Sequence, residues 1–335
     1  MSAAGSLVDA VLAVEPLLRT APSAHNTQPA VLRVDRSRDE VIVGWDEACE
    51  LPIADPTRRD LWLSLGAFLE TLRIAVSRNG FGVAVDQALD TRDGRFARVV
   101  SGRHTEAGFD VEELRARRTA RGRYAEPAVS AAQVAEIASA AALPVGPRLV
   151  VVPDGLIDEL LPVADRWSYG SPAQVAELRS WLRLRADQPR HGEDGLTFEC
   201  LGLPGWQARA LDLALSPRGW GVLGRLGGPR LLAAASRIAG RGTVVALVAE
   251  PGVADDPWGT AELGGALLRT WLVAARHTLS CHPLSQLVDC PATATRLQAQ
   301  TGGRVLAIFR IGRPEGPVAV PPRRPVPVRE VAQTR

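Results

Sequence analysis

Two long apolar segments of helical period, Leu61 to Ser77 and Ala261 to Thr278, lie in opposite halves of the chain and share a core pattern. Leu65-Gly66-Ala67-Phe68-Leu69 aligns with Leu263-Gly264-Gly265-Ala266-Leu267, and the same register brings Arg78 opposite Arg276. A pattern that returns once at long range is what a fused dimer leaves behind. The expectation is therefore two pseudo-symmetric halves in one chain, divided into residues 1–110 and 111–335.

Shorter elements frame those helices. An amphipathic pattern from Leu7 to Leu18 should stop before Pro22, and a polar turn follows from Ser23 to Pro29. Val31–Val34 and Val41–Trp45 read as strands around the polar Asp35–Glu40 link, and Asn79-Gly80 supplies the stop for the first long helix. Val111–Arg115 and Ser130–Ala141 read as helices, the second with Ser130 as N-cap, while Arg148–Val152, Thr243–Ala249 and Arg304–Ile311 read as strands. Asp187 to Gly228 is rich in Gly, Pro and Trp, with one helical piece at Trp206–Leu215, and reads as an insertion or lid. Pro314 to Arg335 is a proline-rich tail expected to run extended over the surface.

Composition closes off several functions. With 335 residues, 46% of them hydrophobic, the chain can bury a full core, and no apolar run approaches the roughly 20 residues that cross a bilayer. Asp9 and Glu15 interrupt the first apolar stretch and no basic segment precedes it, so a cytoplasmic location is expected. A net charge of +2 leaves no general footprint for nucleic acid or membrane. Cys49, Cys200, Cys281 and Cys290 are scattered without a C-x-x-C pair, which argues against a disulfide framework or a zinc ribbon. All 39 basic residues are Arg, so a P-loop, a Schiff-base lysine and a Ser-x-x-Lys nucleophile are excluded. Any phosphate must be held by guanidinium groups, backbone amides and hydroxyls.

Three segments could carry chemistry. Between two prolines, Ser23-Ala24-His25-Asn26-Thr27-Gln28 reads either as a capped turn or as a set of amides suited to a ring edge of alternating carbonyl and N–H groups. Arg117-Arg118-Thr119-Ala120-Arg121 offers planar forks and a hydroxyl for a phosphate, although a solvated basic face or a weak nucleic-acid patch would look the same. Pro283-Leu284-Ser285-Gln286 follows the second long helix; His277, Cys281, His282 and Cys290 around it fit no zinc spacing, so no metal is expected. Gly219-x-Gly221-x-x-Gly224 matches the dinucleotide fingerprint but follows no strand, and reads as a chance glycine-rich loop.

Taken in order, Ala21 to Pro29, Arg117-Arg118-Thr119-x-Arg121, Pro283 to Gln286 and Pro322-Arg323-Arg324-Pro325 resemble the nitroreductase superfamily, in particular its long single-chain Acg-like branch from actinobacteria. The resemblance spans nearly the whole chain. It implies an α+β, nitroreductase-like fold with a mixed sheet flanked by helices, and one FMN per chain. Arg117, Arg118 and Thr119 would hold the phosphate and ribityl chain, with Arg323 and Arg324 completing the phosphate site. Arg121 would lie near N1 and stabilise the reduced flavin, and Ser23 and Asn26 would meet the pyrimidine edge beside His25 and Gln28. Pro283, Leu284 and Ser285 would lie near N5. Family members commonly carry an aromatic after Gln-Pro, where this chain has Ala30. The implied activity is NAD(P)H-linked reduction of a nitroaromatic, quinone or similar acceptor by a cytoplasmic monomer or weak homodimer. The alternative is an FMN-holding protein with a lid over the flavin.

Overall fold

The structure is a computed structural model that describes residues 5–224, 228, 240–250, 252–253 and 255–331. The chain begins with α1 (Leu7–Ala13), capped by Ser6, and α2 (Glu15–Leu18). One helix was expected here; Pro16 in the first turn of α2 has no N–H to continue the ladder, and the chain breaks at Val14. β1 (Ala30–Asp35) and β2 (Glu40–Trp45) form the expected antiparallel hairpin, in register from Ala30↔Trp45 to Asp35↔Glu40. α3 (Arg59–Ser77) follows, and Gly80 takes the left-handed backbone after it at φ 80°. β3 (Val83–Asp90) and β4 (Arg95–Ser101) complete the first half.

In the second half come α4 (Val111–Ala116), β5 (Tyr124–Ala125), α5 (Ala131–Ala140) with Ser130 accepting from the Gln133 amide, and β6 (Arg148–Val152). Then follow α6 (Asp154–Ser168), α7 (Pro172–Ser180), the short β7 (Leu182–Arg183) and β8 (Leu196–Thr197), α8 (Gly205–Ala214) and α9 (Pro217–Leu223). β9 (Thr243–Ala249) leads to the long Pro257–Arg276 helix, β10 (Ser280–Pro283), helices at Gln286–Asp289 and Pro291–Thr301, β11 (Arg304–Pro314) and β12 (Val328–Glu330). The Gly219 to Gly224 fingerprint lies on and just beyond α9 and not in a loop. No described helix is long and apolar enough to cross a membrane.

Two sheets result, the first mixed and the second antiparallel. One sheet runs β12-β1-β2-β4-β3 and the other β10-β11-β9-β6, with β5 paired to β11. Counted within each half, β1-β2-β4-β3 and β6-β9-β11-β10 are the same order, antiparallel throughout, with the long helix entering between the second and third strands. The tail does more than run over the surface: Val328 pairs with Leu32, so β12 adds a parallel strand to the first sheet.

α3 is apolar nearly all round because it serves two cores. Leu65, Phe68 and Leu72 pack on the first sheet with Leu32, Val43 and Trp45. Leu63, Ala67 and Ile74 face Leu267, Leu268 and Trp271 of the second long helix, over Val245, Leu247 and Phe309 of the other sheet. Glycine permits that crossing. A Cβ on Gly66 would stand 1.7 Å from the Ala261 carbonyl oxygen, and one on Gly264 2.2 Å from that of Leu63.

The segment between β6 and β9 forms a smaller core of its own from Val175, Leu182, Leu184, Leu196, Leu215 and Trp220. Val175 and the adjoining Tyr169 and Leu178 show that this unit starts well before Asp187; α7 buries only Val175 fully, too weak a stripe to read from sequence. Three clips join it to the first half. The Glu177 carboxylate accepts from the Ile53 and Ala54 amides at 2.9 and 2.7 Å, the Gly195 amide donates to the Asn26 carbonyl, and Gln28 Nε2 donates to the Glu193 carbonyl at 2.8 Å.

Candidate functional site

A cavity of about 830 Å³ opens where the two long helices, the middle of β11, the β10 loop and the inserted unit meet. The Ser23–Gln28 turn brings Ser23 and His25 to its wall, the basic run brings Thr119 and Arg121, and the β10 loop brings Pro283, Leu284 and Ser285. Trp271 and Phe309, which the sequence placed only within a long helix and a strand, supply an aromatic corner, their rings edge-on at 5.9 Å. The inserted unit closes another side with Tyr169, Leu178, Leu201 and Leu211.

The remaining expected residues stand behind the wall. Asn26 and Gln28 do not line the cavity. Asn26 Nδ2 donates to the Gly195 and Pro322 carbonyls at 3.1 and 3.0 Å, and its Oδ1 accepts from Arg323 Nη1 at 2.8 Å. The Gln28 Oε1 accepts from the Arg324 amide at 3.0 Å. These amides, expected on a ring edge, instead bind the C-terminal tail and the inserted unit to the turn. His25, Asn26 and Gln28 all adopt positive φ, at 46°, 57° and 52°, a backbone that such bonding overdetermines.

Arg323 donates to the Ala21 and Thr20 carbonyls at 3.0 and 3.2 Å, and Arg324 to the Gln28 carbonyl at 3.0 Å and to Cys49 Sγ at 2.8 Å. Arg118 Nη1 turns back to the Arg117 carbonyl at 2.9 Å. Arg117 is buried with its guanidinium 6.0 Å from the Trp271 ring centroid, and neither its Nη1 nor Trp271 Nε1 has a hydrogen-bond partner among the described residues.

Charge in this basic group is uncompensated. Arg115 and Arg123, on either side, pair with Glu112 at 2.6 Å and Glu315 at 3.0 Å. Among the described residues, Arg117, Arg118, Arg121 and Arg323 form no ion pair. Burial, then the neighbouring Arg118, lowers Arg117 to about 10; burial, then Arg117, lowers Arg323 to about 9. Both remain cations at neutral pH, so the group holds positive charge with no carboxylate partner among the described residues.

Part of the wall is acidic, and nothing in the spacing announced it. Asp55, Asp60, Asp165 and Asp289 line the cavity. Arg59 bridges two of them, reaching Asp60 Oδ1 at 2.7 Å and Asp289 Oδ1 at 2.8 Å. Asp55 Oδ2 also accepts from the Leu61 amide at 3.0 Å, capping α3. Burial, reinforced by Asp60, raises Asp55 and Asp289, and burial raises Asp165 to about 6 against the opposing bond from Gln286. His25 is lowered to about 4 by burial, Asp60 opposing and Arg121 assisting, so its imidazole is neutral at pH 7. Among the described residues no three His, Cys, Asp or Glu side chains are grouped to hold a metal.

No protein-family model and no curated protein matches the chain. Among solved structures it is similar to the FMN and NADPH-dependent nitroreductase NfnB from Sphigopyxis sp. strain HMH, at 19% identity and a TM-score of 0.36, over 62% of this chain and 93% of that one. It is similar to the FMN-dependent nitroreductase NfnB from Mycobacterium smegmatis in complex with NADPH, at 16% identity and a TM-score of 0.36, over 61% and 86% of the two chains. A BluB-like flavoprotein from Clostridium difficile 630 stands at 15% identity and a TM-score of 0.36, over 65% of this chain and 96% of that one.

Proposed function

We propose that the cavity holds one FMN per chain and that the protein is an NAD(P)H-linked oxidoreductase of nitroreductase type, built as two fused halves. The observation that carries this reading is the group of guanidiniums without carboxylates, with an unpaired Nη1 on Arg117, at the edge of a roomy, partly aromatic cavity. About 830 Å³ falls within the range of roughly 300–1,000 Å³ usual for cofactor sites. A phosphate monoester is the anion that planar forks and a hydroxyl suit best.

Arg117, Arg118, Thr119 and Arg323 would hold the phosphate and ribityl chain, and Arg324 would anchor the strand that carries Arg323. Arg121, with Ser23, His25, Pro283, Leu284 and Ser285, would surround the ring. When bound, FMN supplies two-electron chemistry between a nicotinamide donor and an organic acceptor. The chain's own part is to bind, orient and exclude water. Arg121 adds a fixed positive charge on the wall, and His25 adds none near pH 7 because its ring is neutral. The acceptor class is a nitroaromatic or quinone small enough for the space left beside Trp271 and the inserted unit.

A second reading has its own observation. The inserted unit is clipped to the first half by Glu177, Gly195 and Glu193, which would make it a lid that retains FMN while shutting out a donor. Consumption of NADPH and NADH by FMN-loaded protein with a nitroaromatic or a quinone separates the two. Turnover supports the oxidoreductase, FMN retained without turnover supports the holder, and no retention contradicts both.

A further inference from the structure

β11 is apolar along its length except at one interior position. Arg310 lies between the buried Phe309 and Ile311, has no exposed surface, and among the described residues pairs with no carboxylate. Such a residue is costly unless its donors are directed; here Nε and Nη2 are, while Nη1 has no hydrogen-bond partner among the described residues. Its Nη2 donates to the Gly122 carbonyl at 2.7 Å and to that of Ala120 at 3.4 Å, and its guanidinium lies 4.6 Å from the Tyr124 ring centroid. The Tyr124 hydroxyl donates to the same Ala120 carbonyl at 2.9 Å. The Nε–H points across the sheet to His282 Nδ1 at 2.9 Å, and the two residues are direct partners in the β10–β11 register.

A protonated guanidinium has five N–H donors and no acceptor. The Arg310–His282 bond therefore requires a lone pair on Nδ1, which places the one proton of the neutral ring on Nε2. His282 lines the cavity, and Nε2 has no hydrogen-bond partner among the described residues. The charged groups facing the ring are Arg310 from β11 and Arg121 from the basic run, both positive, and with burial they hold its pKa well below the ordinary range.

We infer that Arg310 is a positioning residue that locks His282 in the Nε2–H tautomer, so that His282 presents the cavity's ligand with one fixed, uncharged N–H donor. On the FMN reading above, on which this part rests, its acceptor is a carbonyl oxygen or unprotonated nitrogen of the flavin ring. A neutral donor fixed by a sheet needs no reorganisation when the ligand arrives.

Long-range proton–nitrogen correlation spectra of ¹⁵N-labelled protein, assigned by comparison with H282Q, read the tautomer directly in the FMN-free state. The expected result is a protonated Nε2 and a bare Nδ1 that hold from about pH 5.5 to 8, with the Nε2–H signal moving when FMN is added. H282F should bind FMN about tenfold more weakly than wild type, and H282Q, which keeps an N–H donor, should recover most of the loss. A proton on Nδ1, a ring that titrates as an ordinary imidazole, or an H282F that binds FMN as tightly as wild type would overturn the inference. Wild-type protein that takes up no FMN would sink the cofactor reading and the flavin contact with it, leaving the tautomer decided by the FMN-free spectra alone.

Discussion

Arg117 carries a charge into the interior with no counter-ion among the described residues, and that exposes it to a test of opposite signs. In FMN-free protein, Arg117→Met removes a buried cation with an unpaired Nη1, and stability measured by denaturant unfolding should rise by about 1 kcal/mol. The same change should weaken FMN binding by roughly 1.5–3 kcal/mol, about ten- to a hundredfold. A residue kept for packing alone would lose on the first count and change nothing on the second. Asp165 gives the pH test. Its folded carboxyl titrates at about 6 against 3.8 for the free group, so the folded state holds the proton more firmly, and the stability this confers is present below about pH 4 and lost as pH rises through 6. Asp165→Asn should accordingly match wild type in thermal unfolding near pH 4 and exceed it by about 1–2 kcal/mol near pH 8, discounted for solvent screening. At this scale the basic run and the β10 loop were legible because contiguous residues carry them. The acidic wall was not: Asp55, Asp60, Asp165 and Asp289 come together only through folding. Asn26 and Gln28 were read as chemistry because an amide that ties down a tail and an amide that reads a ring look alike in one dimension.

Two elements decide the architecture. α3 and the Pro257–Arg276 helix cross with backbone against backbone at Gly66 and Gly264, so neither position has room for a methyl group. Gly66→Ala should cost about 3–5 kcal/mol in denaturant unfolding or prevent folding altogether, whereas Gly155→Ala, with nothing near its Cβ, should be close to neutral. The Glu177 clip should govern access. With Glu177→Gln the two-amide carboxylate bond to Ile53 and Ala54 weakens, and FMN release followed by flavin fluorescence should speed up severalfold with little change in overall stability. Strongly periodic elements were readable from sequence, the β1–β2 hairpin and both long helices among them. β3 was not, since Asp86 and Gln87, on opposite faces of the strand, are both exposed and break the apolar alternation. The inserted unit was placed too late because its first helix hides its single fully buried residue among polar neighbours.

At the scale of the molecule, two sheets share one strand order, the first packed on α3 and the second on the Pro257–Arg276 helix together with α3. The tail then crosses back. Arg323 bonds to the opening turn and β12 joins the first sheet, so residues some 300 positions apart meet at 2.8 Å beneath the basic group. What sequence alone could not supply was depth: which groups face the cavity and which stand behind it is fixed by the crossing of two helices, a property of no single segment. The central claim is that the guanidinium group of the second half, with Arg323 of the tail, is a phosphate site at the edge of a flavin cavity. Parallel titration of FMN-free protein with FMN and with riboflavin, which lacks only the phosphate, tests it most directly. The account predicts one FMN per chain, bound about a hundredfold more tightly than riboflavin, with the difference collapsing in Arg117→Met. Equal affinity for the two, or no saturable binding of either, would contradict it.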